Sequence, residues 1–170
     1  MGVIAFELPH LGCLWLRGHA DDAGFTQRTR GVLGVPLPLQ PRGLCGFGGG
    51  VVLWMSPDEW LLVCRRSQRD QLLRAMRDAL LDVFAQVIDT SAAMTAVRLV
   101  GPHCLTLLQH LGPTVIVLRS DGDGVLLVFR RSVADHVWRL IERTAQPYGL
   151  CIAAPAQYAD PLFTPLFEAA

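Results

Sequence analysis

The chain has 170 residues, a formal net charge of zero and 51% hydrophobic residues, so it is long enough to bury a core without a metal or a disulfide. The balanced charge excludes a strongly basic surface of the kind that binds nucleic acid or an anionic membrane. All fifteen basic residues are arginine, which excludes a P-loop lysine and a Schiff-base lysine. Charged residues are only 18%, against about 25% in ordinary proteins, and this predicts apolar surface that a partner covers.

The five cysteines form no C-x-x-C pair, and no Cys/His group has the spacing of zinc ligands. An odd number of scattered cysteines is typical of reduced thiols, so we expect a cytoplasmic protein. Neither a signal peptide nor an apolar run long enough to span a membrane is found in the sequence.

The first half of the chain predicts a strand, a helix, a Pro/Gly-rich loop, a β-hairpin, a second helix and a last strand. The hairpin turn is indicated by Ser56-Pro57-Asp58, and the loop by the glycine run that ends at Gly50. In chain order these elements are a strand at 14–17, a helix near 21–33, a loop at 35–50, strands at 51–54 and from 60, a helix after Ser67 and a strand at 83–88.

The second half repeats this order without the long loop. Pro102 suits the start of its first helix and Gly112 suits the end of that helix. In chain order the elements are a strand at 94–100, a helix to Leu111, hairpin strands at 115–118 and from 125, a helix after Ser132 and a strand at 150–153.

An internal repeat supports the duplication. Residues 61–70 read LLVCRRSQRD and residues 126–135 read LLVFRRSVAD, which match at seven positions without a gap. In both copies a short β-favouring run leads into a helix, and we expect Ser67 and Ser132 to cap those helices.

The order β-α-β-β-α-β, found twice, predicts an α+β fold of two ferredoxin-like halves. We expect a single α+β domain over residues 1–154, with halves at about 10–90 and 91–154. Residues 155–170 are predicted to form a C-terminal arm, because Pro161-Leu162-Phe163 and Pro165-Leu166-Phe167 stop regular structure and carry two apolar pairs. The arm can dock on its own domain or on a partner, and the sequence leaves both open.

The search for catalytic residues predicts none. Cys104 with His103 or His110 could in principle form a nucleophile and its base. The plainer interpretation is that the cysteine is a small buried apolar residue and that the histidines lie at the surface. Asp58-Glu59 and Asp89-Thr90-Ser91 are more typical of turns and caps than of paired catalytic acids. We therefore predict no catalytic, cofactor-binding or metal-binding residue in this chain.

Four motifs in order give a family resemblance. They are Leu53-Trp54-Met55-Ser56-Pro57-Asp58-Glu59-Trp60-Leu61-Leu62-Val63, Ile88-Asp89-Thr90-Ser91, Arg98-Leu99-Val100-Gly101-Pro102 and Arg131-Ser132-Val133-Ala134-Asp135-His136-Val137-Trp138. This series resembles the γ subunit of heterotetrameric sarcosine oxidase, which implies a fold related to the aminomethyltransferase (glycine cleavage T protein) family. The segment after Gly112 is shorter than the resemblance implies.

The resemblance implies a non-catalytic subunit of a flavin-dependent enzyme that oxidatively demethylates an N-methyl amino acid. FAD, FMN, NAD and tetrahydrofolate would then lie in partner subunits, a large flavoprotein α-type chain and a β-type chain. We expect partner contacts at Trp54, Trp60, Arg131, Phe163 and Phe167. The alternative function is a stand-alone folate-binding protein of the aminomethyltransferase superfold.

Overall fold

The computed structural model describes residues 2–8, 10–112, 115–119 and 124–153, which divide into two compact units. We call residues 10–92 the first unit, and residues 2–8 with 93–153 the second unit. Each unit contains a five-stranded sheet and two helices within these ranges. The predicted α+β class is confirmed, and so is the duplicated β-α-β-β-α-β order.

The strands are β1 Val3–Leu8, β2 Leu11–Arg17, β3 Leu44–Phe47, β4 Gly50–Ser56, β5 Glu59–Arg65, β6 Gln86–Asp89, β7 Met94–Val100, β8 Ile116–Arg119, β9 Gly124–Arg130 and β10 Leu150–Ile152. The helices are α1 Ala23–Leu33, α2 Arg66–Ala79, α3 Cys104–Leu111 and α4 Ala134–Ala145. The repeat noted in the sequence therefore covers β5 with the start of α2, and β9 with the start of α4.

The first unit has the strand order β3-β4-β5-β2-β6, and every pair in it is antiparallel. Strands β2, β4, β5 and β6 are the four strands of the predicted unit, with α1 after β2 and α2 between β5 and β6. Strand β3 is an addition at the edge, inside the segment predicted to be a loop. The prediction of a continuous loop over 35–50 was wrong, because the glycine run forms the turn of a β3–β4 hairpin rather than a linker.

Helix α1 begins and ends where its sequence provides partners for the free backbone groups. The Asp22 carboxylate accepts hydrogen bonds from the amides of Gly24 at 2.8 Å and Phe25 at 3.3 Å. Gly34 takes the left-handed conformation at the other end, with φ 76°, which glycine adopts without steric cost. The predicted helix near 21–33 is confirmed.

The predicted serine caps of the second helix in each unit were wrong. Helix α2 begins at Arg66, so the extended backbone of Arg65 takes the N-cap place and Ser67 lies in the first turn. Ser132 lies in a 3-10 turn that precedes α4, and neither helix has a side-chain hydrogen bond at its N-cap. The helical backbone thus begins directly after the last residue of β5 or β9, before the serine that was expected to cap it.

The core of the first unit lies between its sheet and helices α1 and α2. Trp60 is fully buried there, and its indole Nε1 donates a hydrogen bond to the Pro38 carbonyl at 2.8 Å. The Phe25 ring lies against it with centroids 5.5 Å apart. The buried members of this core are Leu14, Leu16, Phe25, Leu33, Leu37, Val52, Trp60, Leu62, Met76, Leu80 and Val87.

The second unit has the strand order β10-β1-β7-β9-β8. Here β1 lies between β7 and β10, antiparallel to the first and parallel to the second. No strand was predicted before residue 10, so β1 was missed, although its run Val-Ile-Ala-Phe favours a strand. The buried members of this core are Val3, Ala5, Val97, Leu99, Cys104, Leu107, Leu111, Val115, Val125, Leu127, Phe129, Val137, Ile141 and Ala145.

Candidate functional site

Cys104, the candidate partner of His103 or His110, does not have the properties of a catalytic nucleophile. Cys104 is buried at 2% exposure, and burial raises the pKa of its thiol. His103 stacks on Tyr148 with ring centroids 4.3 Å apart. A raised pKa disfavours the reactive thiolate, so the arrangement opposes the Cys–His interpretation.

The thiols provide a direct test by labelling. Cys13, Cys64 and Cys104 are buried, whereas Cys45 and Cys151 are half-buried. Burial raises the pKa of Cys64 to about 12. We expect a maleimide reagent at neutral pH to modify Cys45 and Cys151 first, with the other three reacting only after unfolding in guanidinium. Mass mapping of the modified peptides checks this, and rapid labelling of Cys104 in the native protein would contradict it.

The contacts of Asp58 and Glu59 stabilise a turn, and they are not those of a catalytic pair of acids. The Ser56 hydroxyl donates to Asp58 at 2.9 Å, and Arg17 approaches the other carboxylate oxygen at 3.2 Å. These contacts, the Ser56 hydrogen bond first and Arg17 after it, lower the pKa of Asp58. The backbone N–H of Gly18 also donates to the Asp58 carbonyl at 3.0 Å, so the motif ties the end of β2 to the β4–β5 turn.

Asp89 likewise has structural partners. The Ser91 amide and hydroxyl donate to one oxygen at 2.9 and 2.5 Å, and Arg69 lies 3.5 Å from the other. Burial acts to raise the pKa of Asp89, but the hydrogen bonds from Ser91 and the positive charge of Arg69 more than offset it, so the pKa lies below its usual value. The Ser91 hydroxyl in turn accepts from the Cys13 amide at 2.8 Å, which fixes the end of β6 to β2.

The predicted partner-contact residues fall in different environments. Trp60 is fully buried in the first unit, so its side chain offers no surface to a partner and that prediction was wrong. Trp54 is half-buried and packs against the same core, and Arg131 is exposed after β9. Phe163 and Phe167 lie outside the described residues. Contacts at Trp54, Arg131 and the two phenylalanines stay predictions.

An exposed apolar patch follows helix α2, and the sequence analysis did not identify it. Leu81 is 81% exposed and Phe84 is 87% exposed, and both lie between α2 and β6. Ile88, within β6, is 43% exposed. We call these three residues the Phe84 patch. The sequence predicts a strand from residue 83, whereas β6 begins at Gln86. The sequence signal for this patch was the run Leu80-Leu81-Asp82-Val83-Phe84. Four of its five residues are apolar, so they cannot all lie on one buried face.

A shallow cleft lies beside the patch in the first unit. Its volume is about 560 Å³, and it is lined by residues 17–19, Asp58 and residues 83–86. The His19 ring stacks on Phe84 with centroids 6.1 Å apart. Arg17 is already paired with Asp58 and lies 3.8 Å from Glu59, so its single positive charge is shared between two carboxylates. A charged small molecule such as folate or a flavin phosphate therefore finds no free counter-charge among the described lining residues.

The described ranges of the chain hold no group of three His, Cys, Asp or Glu side chains that could bind a metal ion. None of the helices in these ranges has the length and apolar character to cross a bilayer.

Comparison with known proteins decides the family. The model of the sarcosine oxidase gamma subunit family matches residues 17–112, more than half of the chain. The chain belongs to the sarcosine oxidase gamma subunit family. The matched range contains the Phe84 patch, its cleft and the motifs at 53–63, 88–91 and 98–102, so the resemblance seen in the sequence is confirmed.

A curated relative agrees with this membership. The gamma subunit of sarcosine oxidase from Corynebacterium sp. (strain U-96) is 30% identical over 129 residues, which is 75% of this chain. The matched region spans only 58% of that relative's length.

Two solved structures share the fold of this chain. A chain of heterotetrameric sarcosine oxidase from Corynebacterium sp. U-96 in complex with pyrrole 2-carboxylate is similar with a TM-score of 0.73 and 24% identity, over 89% of this chain and 88% of that chain. Aminomethyltransferase T of the glycine cleavage system from Bartonella henselae is similar with a TM-score of 0.66 and 12% identity, over 90% of this chain and 47% of that chain. The predicted aminomethyltransferase-like fold is confirmed.

Proposed function

We propose that this chain is a non-catalytic subunit of a multisubunit, flavin-dependent amine oxidase or dehydrogenase of the sarcosine oxidase type. Membership of the gamma subunit family carries the proposal, since the matching family is defined by a subunit rather than by a free enzyme. The parent reaction would be the oxidative demethylation of an N-methyl amino acid, coupled to folate. The cytoplasmic location stays a prediction.

The partners would be a large α-type flavoprotein subunit and a β-type subunit, and these would hold FAD, FMN, NAD and tetrahydrofolate. Two observations support placing the cofactors there. The positive charge of Arg17, which lines the cleft beside the Phe84 patch, is already engaged by Asp58 and Glu59. The Phe84 patch, in contrast, exposes large apolar side chains, as a surface does that another protein covers.

Co-expression tests the proposal. We expect this chain to co-purify with the large flavin-containing subunit. Native mass measurement should show both chains in one particle, and that particle should have the visible absorbance of a flavin. Binding to the folded state should also raise the melting temperature of this chain. A control purification without the large subunit should give no flavin absorbance. A monodisperse chain that ignores the large subunit would contradict the proposal.

The alternative is a stand-alone folate-binding protein, which the structural likeness to aminomethyltransferase T favours. Such a protein needs a concave pocket with several convergent polar groups. Titration of the isolated chain with tetrahydrofolate separates the two functions. Binding in the micromolar range would favour the alternative, whereas the subunit proposal expects none.

A further inference from the structure

The cleft beside the Phe84 patch has a surplus of negative charge at its base. The Arg17 guanidinium lies 3.2 Å from the Asp58 carboxylate and 3.8 Å from that of Glu59, so two acids share one cation. Arg17 is the one arginine among the described residues that line the cleft. The side chains of Arg17 and Asp58 are 59% and 37% exposed, so this unbalanced group is open to a partner.

A third acid stands at the rim of the cleft. Asp82 directly precedes the lining residues 83–86, and its side chain is exposed. No basic side chain of the described first unit pairs with it. Arg28 is held at the end of α2, where it donates to the Ala79 carbonyl at 2.9 Å, and it does not line the cleft. Three carboxylates thus surround one arginine, and even a protonated His19 leaves the acids in excess.

Phe84 presents an open aromatic face to the same cleft. Gln86 pairs with Arg17 in the sheet, so residues 83–86 approach the end of β2, where Arg17 and Asp58 lie. The His19 ring stacks on Phe84 with centroids 6.1 Å apart and planes inclined by 13°, so it covers one face of the phenyl ring. Because Phe84 is 87% exposed, the opposite face remains in contact with solvent.

A guanidinium group matches both features of the cleft. The face of an aromatic ring attracts a cation within about 6 Å of its centroid, and arginine stacks flat on such a face. The planar fork of arginine also pairs with a carboxylate through two parallel hydrogen bonds. An acidic segment would be repelled by the surplus carboxylates, and an apolar segment would bury them without a counter-charge.

We propose that this cleft receives an arginine side chain of the large partner subunit, which stacks on Phe84 and pairs with the carboxylates beside Arg17. The proposal rests on the subunit function given above and names one of its contacts. The incoming guanidinium balances the negative charge that Arg17 leaves on Asp58 and Glu59. The cleft volume of about 560 Å³ lies in the range of sites that hold a ligand-sized group.

Two conservative substitutions separate the charge from the ring. Glu59→Gln keeps the shape of the side chain but removes the surplus charge, and should weaken binding of the large subunit about tenfold. Phe84→Leu keeps an apolar side chain but removes the aromatic face, and should weaken binding about fivefold. Because one guanidinium contacts both groups, the double variant should lose less than the product of the two single effects. Dissociation of the co-expressed complex on dilution, followed by native mass measurement, gives these affinities.

Asp135→Asn and Leu39→Ala are the matched controls. Asp135 is an exposed acid of α4 in the second unit, and Leu39 is an apolar residue that is 56% exposed and does not line the cleft. Binding of both controls should stay within about threefold of wild type. Circular dichroism of the isolated variants should match wild type, since none of the changed side chains is fully buried.

The salt dependence of binding gives a signature that a loss of stability would not mimic. Binding of the wild-type chain should weaken about fivefold or more between about 0.05 and about 0.5 M salt, because screening acts on the ion pair. Glu59→Gln should reduce this dependence, whereas Phe84→Leu should leave it unchanged.

The outcomes separate the contact from the subunit function. The contact requires both substitutions to weaken binding, so a complex that tolerates either of them, or that is insensitive to salt, would overturn the contact and leave the subunit function standing. Failure of the wild-type chain to bind the large subunit would overturn both. A dimer of the isolated chain that the same two substitutions dissociate would assign the cleft to a second copy and would also overturn the proposal.

Discussion

Deletion of residues 2–8 should abolish the cooperative folding of the second unit. Strand β1 pairs with β7 over five residues, Ile4–Leu8, and with β10 over three, Val3–Ala5. Its side chains at positions 3, 5, 6 and 8 are all buried. Burial of Val3, Phe6 and Leu8 stabilises by about 2 kcal/mol each, and the sum is similar to the total stability of an ordinary domain, about 5–15 kcal/mol.

Amide exchange along Met94–Val100 measures the effect of this deletion. Those amides should be protected in the wild-type chain and should exchange at rates close to those of an unfolded chain in the variant. The control is Glu7→Ala, which changes an exposed side chain of the same strand and should leave protection unchanged. Full protection of Met94–Val100 in the deletion variant would mean that β10 can take the place of β1 beside β7, contrary to the prediction.

The parts of the fold that the sequence predicts are those with local signals. The repeated run at 61–70 and 126–135 locates β5 with the start of α2 and β9 with the start of α4, since a strand followed by a helix is encoded within ten residues. Asp22 and Gly34 likewise bound α1 through contacts between near neighbours. Pairing between distant segments has no such signal. The run at 3–8 favours a strand, but nothing local indicates that it enters a sheet with residues 94–100 and 150–152.

The candidate site was harder to predict for a different reason. Trp60 and Phe84 are both large aromatic residues, and hydrophobicity alone does not tell which one the fold buries. Trp60 is buried because it lies in β5, just after the hairpin turn, and β5 is the central strand of the sheet, between β4 and β2. Phe84 is exposed because α2 has already ended and β6 has not begun, so no sheet or helix position directs its side chain inward. Exposure therefore depends on where the elements end, which is the least certain part of any sequence prediction.

The glycine run at 46–50 shows how the same composition can have opposite physical roles. It was predicted to be a flexible loop, but Gly50 is buried at the start of β4 and pairs with Cys64 of β5. A Cβ atom on Gly50 would clash with the Val63 carbonyl oxygen and would lie 3.0 Å from the Cys64 Cα. Both atoms belong to the backbone of β5, so relief would require the two strands to separate.

Gly50→Ala should therefore destabilise the chain by about 3 kcal/mol, the cost expected when extra volume is forced against a packed backbone. Gly48→Ala is the matched control two residues away, because a Cβ atom there meets nothing within 4 Å. That variant should stay within about 0.5 kcal/mol of wild type or gain slightly, since alanine restricts the unfolded chain more than glycine does. Urea titration of both variants at equal m-value measures the difference. Equal midpoints would show that the β4–β5 contact can yield and that close packing is not the reason glycine stands at position 50.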